Sequence, residues 1–152
     1  MGLDMYLRGS LYLGWEDEDP TKQIIANVIS VMKFELPTSI KVQSVRFELM
    51  YWRKSNHIHQ WFVNNVQGGD DDCGEYVLSV DNLKELLATC EEVLADHLKA
   101  PDLLPTQSGF FFGSTDYDES YFEDTQETAN RLHSLLLAPV LNELDITYQA
   151  SW

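Results

Sequence analysis

Positive charge is the scarcest feature of this sequence. The 152 residues include 10 Lys and Arg against 25 Asp and Glu, which gives a formal net charge of -15. No Lys or Arg occurs between Lys99 and Arg131. A field of this sign repels phosphates, so we expect no direct binding of DNA or RNA and an attraction to basic surfaces instead. The plainer alternative is that the carboxylates serve only to prevent aggregation.

Cysteines, long apolar runs and cofactor motifs are also scarce. Cys73 and Cys90 are too few for a disulfide framework, and no run approaches the roughly 18 apolar residues of a membrane span. The start MGLDMYLRG lacks the basic and apolar regions of a secretory signal. We therefore expect a cytoplasmic protein without membrane attachment. There is no CxxC, HExxH, Walker or GxGxxG pattern, so we predict neither a metal site nor a cofactor.

Alternating apolar residues predict the strands of a sheet. Leu3, Met5 and Leu7 share one face of a strand that runs to Leu13 and bends at Gly9-Ser10. The run GFFFG lies between glycines and predicts a short buried strand. Besides this run at 109–113, further strands are predicted at 45–52, 75–80 and 146–152.

Helical spacing of apolar residues predicts the remaining elements. Asp81 begins one long helix and Asp118 approximately begins a second, while Ser55 caps a shorter one. Asp19-Pro20 predicts the start of another helix. We predict a single α+β domain over residues 1–152, with two long helices and one or two shorter helices packed on an antiparallel or mixed sheet.

The stretch Arg46 to Val66, RFELMYWRKSNHIHQWFVNNV, gathers cations, histidines and aromatic residues within an acidic chain. Where its strand meets its helix, the positive end of the helix dipole would add to Arg53 and Lys54. Aromatic rings for stacking and polar groups for hydrogen bonds would complete a pocket for a nucleotide or another small anion. The ligand-binding candidates are Tyr51, Trp52, Arg53, Lys54, Asn56, His59 and Trp61. The alternative is that both cations pair with an acidic helix while the aromatic residues form core.

Acidic residues form a second candidate surface. They cluster in the turn DDD and around the predicted start of the second long helix. A carboxylate-rich face of this kind can compete for a basic protein groove by imitating the field of phosphates. The candidates for contact with a protein partner are Asp70, Asp71, Asp72, Asp116, Asp118, Glu119, Glu123 and Asp124.

Four motifs resemble those of a group of small bacteriophage and prophage proteins. They are MGLDMYL, YWRKSNHIHQWFV, DDDCGEY and LLPTQSGFFFGSTDYDESYFEDT. The likeness covers most of the chain except about residues 15–44, and its motifs supply no catalytic residues. It implies a phage origin, an accessory role and a location in the cytoplasm of the host cell.

Three functions from different classes are consistent with these features. The first is a phage-encoded inhibitor, without catalysis, that binds a host or defence protein whose basic groove handles nucleic acid. The second is a protein that binds or sequesters a nucleotide-like anion with Arg53, Lys54, Asn56 and His59. The third is an enzyme on a phosphorylated substrate, with His59 as acid or base and Asp72 or Asp116 assisting. We rank them in this order and so favour a protein that is not an enzyme.

Overall fold

A four-stranded antiparallel sheet organises the fold. The computed structural model describes residues 2–12 and 42–152, together with positions 23, 27, 28, 30 and 31. Its strands lie in the order β2-β1-β4-β3. They are β1 (Asp4–Tyr12), β2 (Ser44–Arg53), β3 (Glu75–Leu78) and β4 (Asp145–Ser151).

The alternation of β1 sends one row of side chains into the core. Leu3, Met5 and Leu7 are completely buried, as the sequence pattern predicts. The pairing of β1 with β2 shifts between Leu7 and Arg8, so the irregularity precedes the predicted bend at Gly9-Ser10.

Three of the helices lie where the sequence predicts them, whereas the short helix at Ala100–Leu103 falls in a segment for which Pro101 and Pro105 predict a loop. The helices within the described residues are α1 (Asn56–Asn65), α2 (Val80–Ala95), α3 (Ala100–Leu103) and α4 (Glu119–Leu136). Short 3-10 turns occur at His97–Lys99 and Pro139–Glu143. Of the helix predicted after Pro20, the five described positions are helical and the others lie outside the described residues. The predicted α+β class is confirmed.

Capping residues determine where the two long helices begin. Ser79 and Asn82 form a reciprocal capping box at the start of α2, one residue before the predicted start at Asp81. The Asp118 side chain accepts a hydrogen bond from the Tyr121 amide and so caps α4. Ser55 precedes α1, but its side chain forms no capping bond.

One continuous hydrophobic core lies between the sheet and the helices. It joins the inward residues of the strands to the apolar faces of α1, α2 and α4. Phe62 of α1 stacks on Tyr148 of β4, with ring centroids 3.9 Å apart. In the described part of the chain, no helix is both long and apolar enough to cross a membrane.

The prediction of a buried strand at 109–113 is wrong. These residues form a turn in which the Phe112 amide donates to the Gly109 carbonyl over 3.2 Å. Gly113 follows with φ of 92°, a conformation that favours glycine. The apolar run is divided, because Phe112 enters the core while Phe110 faces solvent.

Candidate functional site

The strand-to-helix junction divides the predicted ligand-binding residues between two environments. Alternation along β2 points Trp52 into the core and leaves Tyr51 and Arg53 exposed. Lys54 is also exposed, whereas Asn56, His59 and Trp61 are buried on α1. The seven candidates therefore do not share one surface, and their rings do not line a pocket for Arg53 and Lys54.

Asn56 uses its side chain to hold a neighbouring loop. Its Nδ2 atom donates to the carbonyls of Phe112 over 3.0 Å and Ser114 over 2.8 Å. Its Oδ1 atom accepts from the Gln107 amide over 2.9 Å. Because all these groups belong to the protein, the structure assigns Asn56 a structural role.

His59 joins a buried hydrogen bond on one side of its ring to a partly exposed one on the other. Its Nδ1 atom is 2.7 Å from the Tyr148 hydroxyl and its Nε2 atom is 3.1 Å from Asp71 Oδ1. Burial lowers the pKa of His59, although Asp71 partly opposes this effect, and burial raises the pKa of Tyr148. The neutral ring therefore donates from Nε2 to the carboxylate and accepts at Nδ1 from the phenol.

The surroundings of His59 bear on the hypothesis that this residue is the acid or base of an enzyme. His59 is completely buried. Asp72, proposed to assist it, instead accepts hydrogen bonds from the Gly74 amide of its own turn and from the Tyr76 hydroxyl of β3. The histidine thus has the environment of a core residue that anchors the turn containing Asp71.

A polar contact between the β2–α1 segment and α4 was not predicted from the sequence. The Thr125 and Thr128 hydroxyls donate to carbonyls of their own helix and accept from His57 Nε2 and Trp52 Nε1 respectively. The Ser55 hydroxyl donates to Asp124 Oδ2 over 2.6 Å, which explains why it does not cap α1. The sequence signal that could have indicated this network is that Thr125 lies at helical spacing with the apolar residues Tyr121, Phe122, Ala129 and Leu132.

Burial changes the acid–base properties of two members of this contact. It lowers the pKa of His57 to about 3 and raises the pKa of Asp124. Asp124 is the one partner candidate at the start of α4 that is half-buried. The remaining four candidates of this group, Asp116, Asp118, Glu119 and Glu123, are exposed.

The cationic side chains on and beside the sheet differ in whether they contact a partner among the described residues. Arg46 forms an ion pair with Glu75 across the sheet. Arg8 donates to Gln149 Oε1 over 2.8 Å and lies 4.4 Å above the Tyr6 ring. Arg53 and Lys54 form no ion pair with any described carboxylate, so the alternative in which they pair with the acidic helix is not observed.

Carboxylates of the turn Asp70 to Asp72 take part in hydrogen bonds within the protein. All three aspartates are exposed, but Asp71 binds His59 and Asp72 accepts a hydrogen bond from the Gly74 amide. Cys73 in this turn has a positive φ of 59° and is half-buried. Among the described residues, no group of three or more His, Cys, Asp and Glu side chains is arranged to hold a metal ion.

Comparisons of this chain with protein-family models, with curated proteins and with solved structures gave no match.

Proposed function

We propose that this protein is an acidic binding protein that occupies the basic groove of a protein that handles nucleic acid. The observation that carries the proposal is the state of the carboxylates at the start of α4. Asp116, Asp118, Glu119 and Glu123 are exposed, and none forms an ion pair within the described residues. Their negative charges are available to a cationic partner.

The acidic residues of α2 and the end of α4 provide the contrast. Asp81 pairs with Lys84, Glu92 with Lys99, and Glu127 with Arg131. Glu91 accepts a hydrogen bond from His133 over 2.7 Å. Several carboxylates near cations are therefore neutralised, although Glu85 of α2 forms no ion pair with a described residue, and the segment between Lys99 and Arg131 gathers carboxylates with no Lys or Arg among them.

Folding stability alone does not explain this concentration. Glu119 and Glu123 are four residues apart on α4, and like charges at this spacing destabilise a helix by about 0.2–0.5 kcal/mol. The helix dipole favours Glu119 in the first turn, but its effect falls off before Glu123. A basic groove would relieve the repulsion between the two side chains.

The partner is defined by its chemistry. A groove that binds phosphates carries Lys and Arg side chains spaced along its floor, and carboxylates on a rigid helix can replace the phosphates. The resemblance to bacteriophage proteins supports a host or defence protein as the owner of this groove. Binding of this kind would inhibit the partner by excluding its nucleic acid.

A charge-neutralised variant tests the proposal. We expect the combined variant Asp116→Asn, Glu119→Gln and Glu123→Gln to lose host proteins that the immobilised wild-type chain captures from lysate and that excess DNA displaces. Asp118 and Asp124 are left unchanged because they cap α4 and bind Ser55.

The matched control has the same change in net charge at exposed carboxylates elsewhere. It combines Glu85→Gln, Glu143→Gln and Asp145→Asn, and we expect it to capture the same proteins as the wild type. Equal capture by the neutralised variant and the wild type would contradict the proposal. Equal loss from both variants would mean that net charge, and not the α4 surface, is responsible.

A further inference from the structure

Two exposed cations converge beside Gly2. A Cβ atom added to this residue would lie 3.3 Å from Lys54 Cε and 3.8 Å from Arg53 Nη2. The two side chains therefore reach the same place, next to a residue that has no side chain to separate them. Neither forms an ion pair with a carboxylate in the described part of the chain. Two like charges are thus placed together in a chain whose formal net charge of -15 offers carboxylates in excess.

Contacts along its stem hold the Lys54 side chain in place. A Cβ atom added to Gly113 would lie 3.1 Å from Lys54 Cβ and 3.6 Å from its Cδ, while Gly2 lies against the Cε atom. The Lys54 amide donates to the Leu3 carbonyl over 2.8 Å, and the Lys54 carbonyl accepts from the Asn56 amide over 2.8 Å. Both the backbone and the stem are therefore ordered before any ligand binds, which reduces the entropy cost of binding.

The backbone of Lys54 is in a conformation that lysine seldom adopts. Its φ of 60° lies in the left-handed region, where a side chain costs free energy and glycine does not. Residues held in such conformations concentrate at ligand-binding sites, where the surrounding structure keeps them in place. Lysine at this position therefore points to a use of its side chain that outweighs the cost.

Arg53 does not bind the carboxylate that the sheet places opposite it. Asp4 is its partner in the pairing of β1 with β2. The Asp4 carboxylate instead accepts a hydrogen bond from the Tyr51 hydroxyl and forms no ion pair with Arg53. The Arg53 Nη2 and Nε atoms would lie 3.8 and 3.9 Å from a Cβ atom on Gly2, which is the side on which Lys54 lies. The donors of the guanidinium are thus directed to the place that the second cation also reaches.

We propose that Arg53 and Lys54 form a binding site for the phosphate group of a small molecule. This inference is independent of the proposed function, because none of its residues belongs to α4. A guanidinium donates two parallel hydrogen bonds to a phosphate, and an ammonium adds a second positive charge. The field of the acidic chain repels a ligand more strongly as the negative charge of the ligand rises. The site therefore selects a single phosphate group over a polyphosphate or a nucleic acid.

Titrations of the isotope-labelled full chain, followed by nuclear magnetic resonance at constant ionic strength, test this site. The probes are inorganic phosphate and phenyl phosphate. We expect both to shift the amide signals of Gly2, Lys54 and Gly113 and to leave those of Gly68 and Gly69 unchanged. Arg53→Gln and Lys54→Gly should each raise the Kd of the probes by about tenfold, because each removes a hydrogen bond between charged groups. Glycine is chosen at position 54 because it accepts the φ of 60° and so preserves the fold.

The matched controls remove one positive charge at exposed cations elsewhere. They are Lys84→Gln on α2 and Arg131→Gln on α4, and we expect the Kd to stay within about twofold of the wild-type value. Tighter binding of phenyl phosphate than of inorganic phosphate would support a phosphomonoester as the ligand, and equal binding would support phosphate itself. Equal rises in Kd for the controls and the site variants would assign the binding to net charge and overturn the inference. Failure of the wild type to bind either probe would also overturn it.

Discussion

Asn56→Ala is the substitution whose effect the structure defines best. Asn56 is 2% exposed and forms three hydrogen bonds with the backbone of residues 107–114. Alanine removes all three at once and leaves the carbonyl of Phe112 buried without this partner. We therefore expect the substitution to destabilise the whole protein and to release the turn that carries Phe110.

The magnitude follows from the burial of each bond. The bond to the Phe112 carbonyl is buried, so its loss leaves a desolvated acceptor at about 1–2 kcal/mol. The bonds to Ser114 and Gln107 are partly exposed, and water can replace them, so each contributes about 0.5–1 kcal/mol. The total is about 2–4 kcal/mol, or roughly a 4–16 °C fall in Tm for a chain of this length.

Urea denaturation followed by tryptophan fluorescence measures this difference, and hydrogen exchange locates it. Asn64→Ala is the matched control, because Asn64 lies on the same helix, is exposed and bonds only to Gln60 in the described structure. We expect a change below about 0.5 kcal/mol for the control and faster exchange at residues 107–114 only for Asn56→Ala. Equal, small changes in the two variants would refute the structural role of Asn56.

Two further predictions concern stability. His57 has a folded pKa of about 3 and an ordinary unfolded pKa, so protons bind preferentially to the unfolded chain between about pH 3 and 6.5. Lowering the pH from 7 to 5 should therefore reduce the free energy of unfolding by about 2 kcal/mol. His57→Gln should abolish this part of the pH dependence while keeping the hydrogen bond to Thr125. A pH dependence unchanged in His57→Gln would contradict the assignment. Gly113→Ala and Gly69→Ala both place alanine at a φ of 92°, but only the new Cβ atom at position 113 contacts Lys54. Chemical denaturation should therefore show that Gly113→Ala is the more destabilising variant by about 0.5–1 kcal/mol. Equal losses would show that the Lys54 contact relaxes freely.

Local patterns were sufficient to predict the four strands of the sheet and the helices α1, α2 and α4, but not the short helix α3. Strand β2 was predicted at 45–52 and spans Ser44–Arg53, because alternation of side chains is a direct property of extended backbone. The starts of α2 and α4 were predicted to within one residue of the observed Val80 and Glu119, because capping residues act within a single turn. The turn at 109–113 was mistaken for a strand because its conformation depends on distant partners, Leu3 and Asn56.

The candidate pocket could not be predicted for a related reason. Spacing along α1 indicates an apolar face, and Ile58 and Phe62 lie in the core. Trp61, Asn56 and His59 were treated as available to a ligand but are also buried. Polar residues can be buried when the fold supplies hydrogen-bond partners. The partners of His59 lie in β4 and in the acidic turn, so neither is adjacent to it in sequence.

The buried polar contact at α4 explains how the fold can support an acidic helix start. Thr125 and Thr128 bind His57 and Trp52, so the inner face of α4 is held by uncharged hydrogen bonds and by packing. None of these bonds needs the carboxylates of the outer face, and Asp124 alone connects the two sets through Ser55. Neutralising Asp116, Glu119 and Glu123 should therefore leave the fold intact with little change in stability, because the repulsion that it removes between exposed charges offsets the lost interaction of Glu119 with the helix dipole. Loss of partner binding in a variant with an unchanged or higher Tm would separate recognition from folding at this helix.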